Sequence, residues 1–449
     1  MNEAMDTFGT LRSALDAIDP IRVAGKVTKV VGLMVEGWVP DARLGAMCSI
    51  RPEGDSLSVP AEVVGFRADT ALLMPLGDMQ GVAPGSSILP AKRQPTIDLG
   101  EGLLGRVIDG LGHPMDGKPP PLSNDKRTIY GSPPNPLLRQ LISRPLSLGI
   151  KAIDAFVTCG EGQRLAIVAG SGVGKSVLMG MICRGSQADV NVVALIGERG
   201  REVRQFLERD LGPDGLARSV VVVATGDRSP VERTRGAFVA TAIAEYFRDC
   251  GYKVLLTMDS LTRVAMAQRE VGLAVGEPPT TKGYPPSVLG LLSRLVERAG
   301  PGVGKGSLTA IYTVLAESDD LDDPIVDAAR AALDGHVVLS RQLASRGQYP
   351  AVDVLGSVSR LMNEIVDPVH LQMANELRSV LADYEEAKDL VHVGAYKQGS
   401  NKRFDRALSR IDALRDFLRQ SAGELVSMDD ALRQMRAVLN DPVAKEVGL

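Results

Sequence analysis

A glycine-rich loop directly after an apolar run carries the most specific chemistry in the sequence. Residues 169–176 read AGSGVGKS, after the strand-like RLAIV and before the helical VLMGMICRG. Glycines let backbone N–H groups wrap phosphates at a helix N-terminus, whose dipole favours anions. Lys175 would bridge the β- and γ-phosphates, and the Ser176 hydroxyl would bind Mg²⁺. The segment therefore predicts a P-loop for ATP and Mg²⁺, although Ala169 replaces the usual first glycine at the strand end. The predicted nucleotide contacts are Gly170, Ser171, Gly172, Val173, Gly174, Lys175, Ser176 and Val177.

Two further acidic positions follow apolar runs. Asp259 ends KVLLTMD, where a carboxylate can reach a metal ion through water, and Glu198 follows VNVVALIG, where it can polarise the attacking water. Neighbouring Arg199 and Arg201 would help to hold Glu198 ionised. Taken alone, Asp259 is an ordinary turn residue, and GERGRE is a charged helix start. Together with the P-loop, the two acids predict a catalytic site that hydrolyses a nucleoside triphosphate.

The run of strand and helix signals divides the chain and predicts an α/β fold. From 151 to 361 strands alternate with helices, and the fully apolar strands predict a parallel sheet covered by helices, the P-loop core. Short β-runs with glycine and proline turns predict a small β-barrel over 20–95, and 96–150 reads as a wrapped linker between the two. Residues 362–449 read as a helical C-terminal domain.

The first residues, 1–19, predict an amphipathic helix. Phe8, Leu11, Leu15 and Ile18 fall on one face. Such a helix is unstable alone, so it either docks on its own domain or binds a partner. Both alternatives stay open at this stage.

Composition argues against several other classes of protein. A net charge of −4 and 4% aromatic residues disfavour a nucleic-acid-binding surface and hence a ring-shaped RNA translocase. The four cysteines and four histidines are dispersed, so no zinc site is expected. The start lacks the pattern of a secretory signal, and no apolar run is long enough to span a bilayer. A cytoplasmic protein is the expectation.

Five segments in order and spacing resemble the family that includes the catalytic subunit of the rotary ATP synthase and the type III export ATPases. They are LLGRVIDGLGHPMDGK, GIKAID, the P-loop, GERGREV and PAVDVLGSVS. The resemblance implies a RecA-like core in which Glu198 is the catalytic base and Glu202 supports the metal's water shell, with Lys175 and Arg199 on the nucleotide. It also implies that Tyr349 stacks on adenine and that Arg360 is an arginine finger for the neighbouring subunit. Without the family, these last two would be an edge tyrosine and a surface arginine.

The export branch fits best within that family. IGERGREVRQFLERDLG, MDSLTRVAMAQRE and GEPPTTKGYPPSV are similar to its sequences, and GAYKQGSNKRFDRA stands where a synthase subunit has an acidic segment. GAYKQGS and MNEIVDP look flagellar; the injectisome ATPases and, less closely, a rotary synthase subunit are the alternatives. The resemblance implies a homo-hexamer at the periphery of the inner membrane. Its implied partners are a stator-like regulator at the N-terminal helix, a central coiled-coil stalk, the export gate and chaperone–substrate complexes.

Overall fold

The computed structural model describes residues 23–53, 58–91, 94–316 and 323–440. It divides into one unit that ends at Pro95 and a second that begins at Thr96. The helix predicted over 1–19 lies outside the described residues.

The first unit is a closed barrel of six antiparallel strands in the order β1-β2-β5-β4-β3-β6. Its strands are β1 (Gly25–Val31), β2 (Met34–Trp38), β3 (Met47–Arg51), β4 (Val59–Arg67), β5 (Thr70–Pro75) and β6 (Ser87–Pro90). Val35, Ile50, Leu73 and Ile88 point inward and are fully buried. The alternation of buried and exposed positions along β1 is what a barrel with a filled interior requires. The predicted small barrel is confirmed.

The second unit is built on a large sheet in the order β19-β18-β12-β17-β15-β13-β14-β8, with β16 paired to β17. Its strands are β8 (Arg106–Asp109), β12 (Arg164–Ala169), β13 (Val190–Ile196), β14 (Ser219–Ala224), β15 (Lys253–Asp259), β16 (Gly300–Pro301), β17 (Ser307–Leu315), β18 (Gly335–Leu339) and β19 (Val352–Ser359). Two small antiparallel pairs lie beside it: β7 (Thr96–Leu99) with β9 (Asp125–Thr128), and β10 (Pro145–Leu146) with β11 (Cys159–Gly160).

The large sheet is parallel from β18 to β8, as the apolar runs predict. Every residue of β13 and β14 is buried, because helices cover both faces. The edge strand β19 runs antiparallel to β18. A second difference concerns 96–150: this segment, expected as a linker, also supplies β8, which extends the sheet beside β14.

Helices α1 to α10 belong to the same unit as the large sheet. They are α1 (Lys151–Phe156), α2 (Lys175–Gly185), α3 (Gly200–Gln205), α4 (Gly212–Ala217), α5 (Pro230–Asp249), α6 (Leu261–Val275), α7 (Pro286–Val296), α8 (Pro324–Ala332), α9 (Arg341–Ser345) and α10 (Met362–Ile365). A π-helical turn, Phe206–Leu211, joins α3 to α4. Short 3-10 turns lie at Glu101–Leu103, Pro136–Leu138 and Thr281–Gly283.

The C-terminal region is helical, as predicted: α11 (Pro368–His392), α12 (Lys402–Leu418) and α13 (Met428–Asn440). Leu377, Leu414 and Met435, one from each helix, are fully buried in a common cluster with Phe156 of α1. In the described part of the chain, no helix has the length and apolarity needed to cross a membrane.

Candidate active site

The glycine-rich loop lies between the C-terminal end of β12 and the first turn of α2. Gly172 and Gly174 have φ values of 79° and 91°, in the left-handed region that favours glycine. Val173 between them is 2% exposed and anchors the loop in the core. Ser176 is exposed in the first turn of the helix. The loop therefore presents backbone N–H groups and a hydroxyl to a ligand at a helix N-terminus, which is the geometry of a phosphate site.

Lys175 lies between two carboxylates from two other strands. Its Nζ donates a hydrogen bond to Asp259 Oδ1, and the Glu198 Oε1 lies 3.6 Å away. Asp259 ends β15 and Glu198 follows β13, the neighbouring strand, so the carboxyl ends of parallel strands bring the three groups to one edge. All three are largely buried. The structure thus gathers the cation and both acids that the motifs predict.

The environment of Glu198 sets its protonation. Burial raises the pKa of Glu198 to about 7, the negative charge of Asp259 adds to this effect, and the Lys175 ammonium opposes it. A carboxyl group with a pKa near neutrality is ionised for part of the time, and in that form it accepts a proton from water. This is the electrostatic setting that a general base needs.

Glu202 lies in the first turn of α3 and forms a hydrogen bond with Glu198. Arg199 immediately precedes the same helix, α3. This hydrogen bond is the largest effect on Glu202 and lowers the pKa of its carboxyl group. The Arg199 Nη1 lies 3.3 Å from Glu202 Oε1, and the Arg199 side chain is 79% exposed. Glu202 therefore lies beside the predicted base. The Arg199 side chain faces solvent at the start of α3 and pairs with Glu202.

Two residues that sequence reasoning did not single out complete this edge. Thr313, near the end of β17, donates a hydrogen bond of 2.7 Å to Asp259 Oδ1. Arg263 in α6 packs against Gly197, where an added Cβ would come within 2.8 Å of the arginine's own Cβ. Among the residues that the structure describes, the buried Nε of Arg263 finds no hydrogen-bond partner. A threonine within the apolar run SLTAIYTV, and the arginine in DSLTR, were the available signals.

Tyr349 lies beside the P-loop. A Cβ added to Gly174 would lie 3.6 Å from Cδ1 and Cε1 of its ring. The residue precedes β19, whose first residue Val352 pairs with Leu339, which in turn pairs with Ala169 at the end of β12. Tyr349 is 48% exposed, so part of its surface remains accessible to a ligand. A half-open aromatic ring next to a phosphate loop is suited to stacking on a purine.

Arg360 lies near the N-terminal ends of the parallel strands, whereas the P-loop lies at their C-terminal ends. Its backbone N–H donates to Asp334 O over 3.0 Å, and the N–H of Asp334 donates to Arg164 O, at the start of β12, over 2.9 Å. The P-loop follows the end of this strand at Ala169, roughly 17 Å farther along at about 3.3 Å a residue. The exposed guanidinium donates to Arg330 O over 2.9 Å. Arg360 is therefore not brought to the P-loop of its own chain.

The donor atoms at the P-loop edge are suited to a hard cation. A serine hydroxyl and the carboxylates of Asp259, Glu198 and Glu202 all offer oxygen, which Mg²⁺ prefers, and Mg²⁺ is commonly held by one or two carboxylates together with substrate phosphates. A phosphate cradle, a lysine, a strand-end acid and a candidate base together define the site of a P-loop nucleoside triphosphatase.

Comparison with known proteins gives the family. Residues 149–359 match the nucleotide-binding domain of the ATP synthase alpha/beta family, and 27–91 match the β-barrel domain of that family. Residues 366–437 match the C-terminal domain of the type III secretion ATPase EscN. The chain belongs to the ATP synthase alpha/beta family, in the branch of the flagellar and type III secretion ATPases.

Relatives of both kinds match over almost their full length. A type 3 secretion system ATPase of Xanthomonas euvesicatoria is 51% identical over 96% of this chain and 98% of its own. A flagellum-specific ATP synthase of Bacillus subtilis is 48% identical over the same shares. The structure of the assembled ATPase EscN with its central stalk EscO, from enteropathogenic E. coli, is 44% identical and superposes with a TM-score of 0.85 over 92% of this chain and all of that one.

Proposed function

We propose that this ATPase hydrolyses Mg-ATP at the subunit interfaces of a homo-hexameric ring and energises protein export of the flagellar type. The observation that carries the proposal is the group formed by Lys175, Asp259 and Glu198 at the P-loop. A phosphate-binding cation and an acid of near-neutral pKa, held within 3.6 Å of each other, are the parts that phosphoryl transfer to water requires.

In this mechanism the P-loop N–H groups from Gly170 to Val177 cradle the phosphates, and Lys175 moves from the carboxylates to the β- and γ-phosphates. Ser176 and Asp259 would hold Mg²⁺, with Glu202 on its water shell; when bound, the ion neutralises charge on the phosphates. Glu198 orients the attacking water and accepts its proton. Tyr349 stacks on the adenine, and Arg199 contacts the nucleotide after turning from Glu202.

The position of Arg360 supports the proposed ring. An arginine at the sheet edge away from its own P-loop can stabilise charge on a phosphoryl group only in another subunit. The assembled state named for EscN supports the same arrangement, and its stalk EscO supports a central coiled-coil partner. The other proposed partners are a stator-like regulator at 1–19, the export gate and chaperone–substrate complexes, with the ring at the cytoplasmic face of the inner membrane.

GAYKQGS and MNEIVDP support the flagellar assignment over the injectisome. The 51% identity to the Xanthomonas ATPase favours the injectisome as the second candidate. The C-terminal match to the EscN domain disfavours a rotary synthase subunit, and so does the non-acidic GAYKQGSNKRFDRA, which spans the loop after α11 and the first turns of α12.

A chromosomal Glu198→Gln substitution in the source bacterium tests which export system the ATPase serves. Loss of flagellin from the culture medium and of motility supports the flagellar assignment. Intact flagella with loss of secreted effector proteins would assign the chain to an injectisome instead. Intact secretion by both routes would contradict the export function, provided that the variant accumulates to the normal level.

A further inference from the structure

Gln420 follows helix α12 and touches the segment that carries Tyr349. Its backbone N–H donates to Tyr349 O over 2.9 Å. Gln420 is 4% exposed, whereas Tyr349 is 48% exposed. A half-exposed side chain is not fixed by core packing alone, so this main-chain hydrogen bond restrains the backbone from which the ring extends. The Gln420 side chain can act on the ring only by holding its own main-chain N–H in place.

The side chain of Gln420 is itself fixed by three hydrogen bonds. Its Oε1 accepts from the Lys151 N–H over 2.9 Å. Its Nε2 donates to Gly149 O over 2.8 Å and to Glu424 O over 2.9 Å. A buried amide with this set of partners has one favourable orientation, because each alternative leaves polar atoms unpaired. Gln420 thereby ties the start of the nucleotide-binding domain to the C-terminal helices.

The residues after Gln420 also contact the helix that follows the P-loop. The Arg184 Nη2 donates to Ala422 O over 2.5 Å, and Arg184 lies in the last turn of α2, which begins at Lys175. The Lys151 Nζ lies 3.6 Å from Glu424 Oε1. The segment 420–424 is therefore bonded both to the Tyr349 segment and to the P-loop helix.

We propose that Gln420 is a positioning residue that holds the Tyr349 ring over the adenine site and so sets the affinity for the base part of ATP. The inference rests on the stacking role given to Tyr349 in the proposed function. Within the described part of the chain, the hydrogen bonds of Gln420 reach no P-loop residue. Its removal should therefore weaken binding of the adenine and leave phosphate binding unchanged.

Equilibrium titration of the full chain with two probes in Mg²⁺ separates these effects. Gln420→Ala should raise the Kd for ATP about tenfold, whereas the Kd for inorganic tripolyphosphate, which lacks the base, should stay within twofold of wild type. Gln420→Glu provides a variant of equal size. It keeps the acceptor for Lys151 and loses the donations to Gly149 and Glu424, so it should weaken ATP binding in the same direction.

Gln163 offers a matched control, since it is another buried glutamine that bridges separate backbone segments. Its Oε1 accepts from the Gly160 N–H, and its Nε2 donates to Asp334 O and to the Ser359 hydroxyl, at the sheet edge away from the P-loop. Gln163→Ala should lower the thermal stability about as much as Gln420→Ala does. The Kd values for both probes should not change.

A double-mutant cycle with Tyr349→Ala decides whether the two residues act as one unit. If Gln420 works through the ring, the double variant binds ATP no more weakly than Tyr349→Ala alone. Additive losses, equal losses for ATP and tripolyphosphate, or unchanged ATP binding in both folded Gln420 variants would each overturn the inference. If Tyr349→Ala itself leaves the Kd for ATP unchanged, the stacking role in the proposed function fails instead.

Discussion

Tyr349 and Arg360 flank one antiparallel edge strand, β19: Tyr349 precedes its first residue and Arg360 follows its last. Val352, at the end near Tyr349, pairs with Leu339, which lies level with the end of β12 where the P-loop begins. Ser359, at the end near Arg360, pairs with Gly335 at the other end of the parallel strands. The strand therefore points one predicted ligand-binding side chain at its own nucleotide site and the other away from it. A single strand can in this way serve two sites, its own and that of a neighbour in a ring.

Lys175→Ala should abolish ATP hydrolysis and leave the fold intact. The ammonium is the cation that the phosphates need, and its side chain contacts two carboxylates at the site edge instead of the apolar core. A phosphate-release assay and a thermal unfolding curve measure the two effects. Lys126→Ala is the control, because Lys126 pairs with Asp98 away from the site. A folded Lys175→Ala protein with wild-type turnover would contradict the assigned role.

The pKa of Glu198 predicts an acid limb in the pH profile. The base must be ionised to accept a proton, so kcat/KM should rise with pH through about 7, the raised pKa of Glu198 in the free protein. Glu198→Gln should retain ATP affinity and lower turnover by orders of magnitude, since only water activation is removed. Steady-state rates from pH 5 to 9 provide the measurement. Loss of affinity and rate together would indicate a structural role.

The same pKa predicts how stability changes with pH. The folded state holds the proton more tightly than the unfolded state, because the pKa rises from 4.5 to about 7. The contribution of Glu198 to the free energy of unfolding is thus fully present below about 4.5 and is lost as the pH rises through 7. Glu198→Gln should remove this loss. Glu232→Gln, at a second buried acid whose pKa burial raises, should alter stability and leave the acid limb of activity in place.

Thr313→Val tests a contact that only the fold reveals. The Thr313 hydroxyl donates to Asp259 Oδ1, and valine keeps the shape but leaves that buried carboxylate with one partner fewer. Hydrogen bonds to charged groups contribute about 1.5–3 kcal/mol to stability. If a loss of this size appears in the activation barrier because Asp259 is misplaced, turnover falls roughly tenfold or more. Thr241→Val is the control, since that buried hydroxyl donates to Ala237 O within α5, away from the site. Equal turnover in both variants would show that Thr313 does not position Asp259.

Local motifs account for the part of the site that the sequence predicted. Lys175 and Ser176 sit inside a contiguous pattern, Asp259 ends an apolar strand and Glu198 closely follows one, so their types and neighbours suffice. The contact from Thr313 to Asp259 depends on β17 lying beside β15, and no short-range pattern encodes that order. The arrangement of parallel strands is decided by packing across the whole sheet.

Hydrogen bonds between residues far apart in the chain could not be predicted from the sequence either. Gln420 follows a helix in the C-terminal region, and nothing in its neighbours marks it as a partner of Tyr349. Strand β8 was missed because its four residues are flanked by glycines, which are typical of a linker. The barrel and the helical C-terminal region were predictable, because their periodicity extends over many residues.

The proposal of a catalytic ring rests most directly on Arg360, and mixing two inactive variants tests this proposal. An arginine finger contributes roughly 10³–10⁵ in rate, so Arg360→Ala alone and Lys175→Ala alone should both be nearly inactive. A mixture of the two should regain activity. Some interfaces then pair an intact P-loop with an intact finger, which neither variant can form by itself. Wild-type specific activity should also rise with protein concentration as subunits assemble. Hydrolysis independent of concentration, together with no rescue on mixing, would mean that Arg360 serves no neighbouring site, and the hexameric mechanism would lose its main support.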